Sequence, residues 1–144
     1  MAITQSLCTS FKVNLLNGLF NFGEGTSQQF YLALYTNEAD LSAATTAYTS
    51  GGEVVGTNYD AGGKRLTINQ TPVSTGTTAF VNFDSLTWTS STISARGALI
   101  YLHNGTTNPA VAVLDFGSEK ASTGGDFTVT FPASNVSNAI IRIA

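Results

Sequence analysis

The residues able to do chemistry are few, and their spacing decides what they can do. The chain has one histidine, His103, and one cysteine, Cys8, among nine carboxylates and six basic residues. A lone histidine excludes a metal site built on two, and a nucleophilic triad would need His103 beside both a serine and a carboxylate. Instead it precedes Asn104 and Gly105, a pair that tolerates the positive φ of a tight turn, so we read it as a turn residue. Cys8 has apolar neighbours and no adjacent cation to stabilise a thiolate, which makes it a packing residue. The run Asp115, Phe116, Gly117 has the letters of the kinase metal-binding triplet, but the catalytic loop and the strand lysine of that signature are missing, so we expect a strand followed by a turn. Gly62, Gly63 and Lys64 suggest a phosphate loop, yet Arg65 stands where Ser or Thr is required and the upstream glycine is absent. The pairs Glu38 with Asp40 and Glu119 with Asp126 could form a glycosidase dyad or a weak calcium site. They sit in polar stretches without the alternating ligands of an EF-hand, and we read them as solvated loop charges. The expectation is therefore no catalytic residue, no cofactor, no metal and no enzymatic activity.

Trp88 and the tyrosines Tyr31, Tyr35, Tyr48, Tyr59 and Tyr101 raise a carbohydrate-binding alternative, because sugars stack on exposed rings. Trp88 lies in a Thr/Ser-rich strand and is read as core or interface. Asn69, Asn104 and Asn135 each open an Asn-x-Ser/Thr triplet, which matters only in a secretory pathway, and residues 1–12 do not read as a signal peptide. No apolar run approaches the roughly 18 residues of a membrane helix, so a soluble protein without membrane contact is expected. Scattered basic residues and a net charge of -3 give no footprint for direct nucleic-acid binding. Charged residues are 10% of the chain, against about 25% in an average domain. A surface so weakly charged has little electrostatic protection against association, which suits a protein covered by neighbours, although a Thr-rich β domain has the same composition.

The elements that must position these residues are mostly strands. With 144 residues the chain forms a single domain, 1–144, long enough to bury about two-thirds of its unfolded surface. Leu7, Phe11, Leu15 and Leu19, widened by Cys8 and Leu16, mark one amphipathic helix within an N-terminal arm, 1–22. Thr4 or Ser6 can cap it, and Gly18 or Gly23 can end it. Strands are expected at Phe30–Tyr35, Arg65–Gln70, Thr78–Phe83, Leu86–Thr89, Ala95–Leu102, Ala110–Phe116, Phe127–Phe131 and Ala139–Ile143. Asn104 and Gly105 should join the strands on either side as a hairpin. Ala98–Leu102 and Ala110–Leu114 are apolar throughout, so both of their faces must be covered by the helix, a second sheet or another subunit. Residues 37–63 form a long excursion with one helical turn near Ala39–Ala44, and a loop of that length is usually contact-forming. The fold class is mainly β, an antiparallel two-sheet sandwich or jelly roll with one N-terminal amphipathic helix.

Five segments in order, Phe30–Thr36 (FYLALYT), Ala61–Gly63 (AGG), Thr92–Tyr101 (TISARGALIY), Ala110–Gly117 (AVAVLDFG) and Asn138–Ala144 (NAIIRIA), resemble a family of small virion structural proteins from tailed-phage genomes. The opening Cys8–Phe11 (CTSF) fits as well, so the resemblance spans nearly the whole chain. It implies a non-enzymatic structural component and brings no catalytic residue. The reading it favours is a capsid decoration or cement protein on the outer surface of the virion, made in the host cytoplasm. Its partners would be the major capsid protein and copies of itself, as a dimer or trimer. A tail, neck or adaptor component, or a receptor- or carbohydrate-binding virion domain, is the alternative.

Overall fold

The computed structural model describes residues 2–144. In chain order the elements are β1 (Ser6–Leu7), α1 (Thr9–Leu16), β2 (Phe30–Tyr35), β3 (Lys64–Arg65), β4 (Ile68–Thr75), β5 (Thr78–Phe83), β6 (Leu86–Leu102), β7 (Ala110–Val129) and β8 (Ile141–Ile143). They form two antiparallel sheets, β1-β7-β6-β2-β3 and β4-β5-β8, which is the expected mainly β, two-sheet architecture with one short helix near the N-terminus.

Side-chain alternation organises the larger sheet. Along β2, Phe30, Leu32 and Leu34 share one face, and Tyr31, Ala33 and Tyr35 the other. The register places Leu102, Ile100 and Ala98 of β6 with the first set, and Tyr101, Leu99 and Gly97 with the second. The first face packs on the small sheet and the N-terminal segment. Phe30 stacks on Phe22 with centroids 4.4 Å apart, Phe83 of β5 lies 6.4 Å from Phe30, and Phe11 and Phe20 extend the cluster. The second face is covered by the excursion. Strand pairings of the loop backbone, Val54 N–H to Leu34 O at 2.9 Å and Ala110 N–H to Thr46 O at 3.0 Å, hold it along β2 and β7. Ala98–Leu102 and Ala110–Leu114 are therefore buried at every position within one chain. A second sheet and the chain's own loop cover them, and they give no argument for another subunit.

Two glycines allow the excursion to lie this close. A Cβ on Gly63 would stand 1.9 Å from the carbonyl oxygen of Leu32, and one on Gly52 would stand 2.7 Å from Ala39 Cα; both residues have positive φ. The expected helical turn near Ala39–Ala44 is absent. Ser42 and Thr45 close a turn instead, with Ser42 N–H donating to Thr45 Oγ1 and Thr45 N–H to Ser42 O. Ser and Thr side chains that bond the backbone locally compete with helix in just this way.

Other boundaries also differ from expectation. The runs Leu86–Thr89 and Ala95–Leu102 belong to the single strand β6, and Ala110–Phe116 and Phe127–Phe131 belong largely to β7. The Ser- and Gly-rich stretches between them are irregularities inside a paired ladder. Ser90, Gly117 and Gly124 take positive φ there, and register shifts absorb the extra residues as bulges. Arg65–Gln70 divides between two sheets: Arg65 pairs with Tyr31, and Ile68 with Phe83. The helix is shorter than Leu7–Leu19. Leu7 pairs with Ala112 in β1, Cys8 is the N-cap without a side-chain cap bond, and Gly18 at φ +79 follows the C-cap Asn17. Neither Thr4 nor Ser6 caps it, since both precede β1 or lie within it. Only Phe11 of the helix is buried, and Leu16 is 90% exposed, so the wide apolar stripe does not all face the core.

Candidate functional site

The residues singled out by type are dispersed. Cys8 is fully buried, and burial pushes its thiol up to about 11, which keeps it protonated and unreactive. His103 is exposed just beyond β6, with its ring stacked on Tyr31 at 4.3 Å and its backbone N–H donated to Gln29 O. Asp115 pairs with Arg96 at 2.9 Å and accepts the Gly117 N–H at 2.8 Å, so the Asp-Phe-Gly run bends within β7 and no turn ends the strand there. Glu119 and Asp126 also lie on β7, contrary to a loop placement, because the ladder carries through the Gly-rich stretch. Glu38 and Asp40 are exposed on the excursion. Among the described residues no group of three His, Cys, Asp or Glu is placed to hold a metal ion. Trp88 is 3% exposed and packs on Tyr59 and Phe127, a core position.

A polar centre does form from four of the tyrosines and Gly62, and the carboxylate at its middle, Glu53, was not among these candidates. Glu53, 9% exposed, sits where the excursion returns to β2. Its Oε1 accepts from Tyr48 Oη at 2.6 Å, and its Oε2 accepts from Tyr59 Oη at 2.7 Å and from Gly62 N–H at 2.8 Å. Tyr59 Oη in turn accepts the Leu34 N–H at 2.7 Å, Tyr101 Oη donates to Gly62 O, and Tyr35 Oη donates to Thr49 O. Burial, with the Glu53 charge nearby, raises all four tyrosines, Tyr48 to about 12 and the others further. Every hydroxyl is therefore a neutral donor at physiological pH. Gly62 N–H, the group a phosphate loop would offer to an anion, is taken by the carboxylate. The arrangement is a clasp that fastens the excursion to the sheet, with its oxygens bonded internally and its rings mostly covered. The sequence signal was thin: a single Glu between Gly51-Gly52 and Val54-Val55, with tyrosines on either side.

What remains open to a partner is surface. Val13, Leu16, Leu19 and Ile143 are 55%, 90%, 40% and 53% exposed. Ile143 borders a hollow of about 130 Å³ lined by Phe11, Leu15, Ala79 and Ile141, where α1 meets the small sheet. A second depression, about 380 Å³, lies inside the bend of β7, floored by Phe116, Phe127 and Val129 and edged by Lys120 and Asp126. It continues past Phe116 into a hollow of about 240 Å³ floored by Leu114, Val129 and Phe131. Comparison with family models, with curated proteins and with solved structures finds no match for this chain.

Proposed function

We propose that this chain is a non-enzymatic structural protein of a tailed-phage particle, a decoration or cement protein that binds the outer face of the major capsid shell. The observation that carries the reading is the contrast between a buried polar centre used to fasten the chain to itself and an outer face of α1 on which Val13 and Leu16 stand exposed together. Several large apolar side chains exposed together mark a contact surface more often than scattered ones do. The family resemblance supports the same reading, and three of its five segments fall on strands of the buried core: FYLALYT on β2, TISARGALIY on β6 and AVAVLDFG on β7. A shell protein needs complementary surface and no reaction centre.

The test is the number of copies in purified particles, by quantitative gel or mass spectrometry. Hundreds per particle are expected; a few would place the chain in the tail, neck or receptor apparatus, and none would overturn the proposal. Recombinant protein is expected to turn over no nucleotide, peptide or glycan. Turnover that survives repurification and disappears on substitution of one carboxylate would overturn the non-enzymatic reading.

A further inference from the structure

Asparagine followed by glycine occurs twice in the chain, at Asn17-Gly18 and at Asn104-Gly105, and each pair can undergo the same uncatalysed reaction. The glycine backbone nitrogen attacks the side-chain carbonyl carbon of the asparagine and gives up its proton, and ammonia leaves. Water then opens the cyclic imide to aspartate or isoaspartate, so water is the only co-reactant. Glycine in the second position favours the step, because no Cβ obstructs the approach and the backbone rotates with little restriction.

The structure sets the two pairs in matched surroundings with one difference. Both are exposed, both glycines take positive φ, +79 at Gly18 and +76 at Gly105, and a Cβ built on either would meet nothing within 4 Å. The attacking nitrogens are equally engaged, Gly18 N–H with Leu15 O at 3.1 Å and Gly105 N–H with Asn108 Oδ1 at 3.1 Å. The amides are what differ. Asn104 Oδ1 accepts from Thr106 N–H at 3.0 Å, Thr106 Oγ1 at 3.2 Å and Asn108 N–H at 2.9 Å, and its Nδ2 donates to Thr107 Oγ1 at 2.9 Å. The Asn17 amide, exposed at the C-cap of α1, makes no hydrogen bond among the described residues.

Cyclisation requires the side-chain carbonyl to turn onto the following nitrogen. At Asn104 that turn breaks the bonds which close the loop, and losing even one or two of them slows the reaction about tenfold or more. At Asn17 only the last turn of α1 has to fray, and helix ends open at little cost. We infer that Asn17 is the residue at which the folded chain deamidates, and that the loop 104–108 shields Asn104 from the same reaction. The new carboxylate stands at the C-terminal end of α1, where the helix dipole disfavours a negative charge. It adjoins the exposed Leu16 and lies four residues on from the exposed Val13, so the reaction places a charge on the outer apolar face of the helix.

The experiment incubates the whole folded chain in warm, mildly alkaline buffer and follows both sites by peptide mapping with mass spectrometry, isoaspartate being resolved from aspartate by chromatography. Product at Asn17 is expected to accumulate at least about tenfold faster than at Asn104. In urea, with the fold removed, the two rates should converge. Asn108 has φ +44, which glycine also adopts, so Asn108→Gly removes the acceptor of Gly105 N–H without straining the backbone. With circular dichroism unchanged, this variant should raise the rate at Asn104 about tenfold and leave that at Asn17 as it was. Thr107→Val removes only the acceptor of Asn104 Nδ2 and should act in the same direction, less strongly. Equal rates at the two sites in the folded chain, or an Asn17 that stays intact, would overturn the inference. So would a difference that persists in urea, or an Asn104 that neither loop variant accelerates.

Discussion

The two faces of the large sheet are buried about equally and held by different physics. The Phe30 face is dry: aromatic rings and aliphatic chains from the small sheet and N-terminal segment close over it, and no hydrogen bond is needed to keep them there. The Tyr101 face is covered by a loop, which brings its own backbone polar groups with it. Those groups and four tyrosine hydroxyls must find partners, and Glu53 is the acceptor around which they are arranged. Apolar burial tolerates repacking among similar shapes, whereas a hydrogen-bonded cover depends on single atoms. The same six residues of β2 supply both faces, by alternation alone.

The comparison can be broken most forcefully from the dry side. Phe30→Ala, at a position 2% exposed, should cost about 3 to 5 kcal/mol by cavity formation. Denaturant unfolding with an unchanged slope would report it, and a loss under about 1 kcal/mol would mean that the rings collapse to fill the space. Leu99→Ala, fully buried beneath the excursion, should cost about 2 to 5 kcal/mol by the same route.

On the polar side, Glu53→Gln should cost about 1 to 3 kcal/mol, since an amide N–H₂ replaces one acceptor and meets a donor head-on. Its distinguishing mark is locality: hydrogen exchange should quicken across residues 37–63 and leave β2, β6 and β7 protected. Uniform acceleration would show that the clasp belongs to the global fold. Alkaline pH sharpens the contrast further. An unfolded tyrosine ionises near 10, while Tyr35, Tyr59 and Tyr101 keep their protons beyond that. Above that pH the unfolded chain releases protons that the folded chain retains, so the stabilisation is complete below about pH 10 and declines as pH rises. The decline is about 1.4 kcal/mol per pH unit for each such tyrosine, and Tyr59→Phe should make it shallower by one residue's share. Stability that is flat from pH 9 to 11 would contradict the burial of these hydroxyls. The smallest effect is expected outside both faces, where Leu16→Ser should change stability by no more than about 0.5 kcal/mol.

Local pattern carried much of this architecture. Phe30–Tyr35 and Thr78–Phe83 have the expected bounds, because each is a short run of strand formers between turn residues. Asn104 and Gly105 marked the hairpin, with Tyr101 now opposite Ala110. Ile143, in a run read as a strand, is exposed at the ragged end of an edge strand. The failures are nonlocal. Apart from Thr92, Ile93 and Thr123, the residues of Ser90–Ser94 and Gly117–Gly125 do not favour a strand; they pair because each finds the other across the hairpin, and Ser91, fully buried, bonds Ser122 Oγ at 2.8 Å. Glu53 was invisible for the same reason, since its three donors lie five, six and nine residues away on a loop whose path only the sheet defines.

The pairing of β1 with β7 sets a timetable for the nascent chain. Ser6 lies opposite Val113, 107 residues later in the sequence (113 − 6). At about 5 to 20 residues per second of synthesis, the first strand waits roughly 5 to 20 seconds before its partner emerges. During that interval Leu7, Cys8 and Phe11, all of which end up packed in the finished fold, have no β7 to rest on.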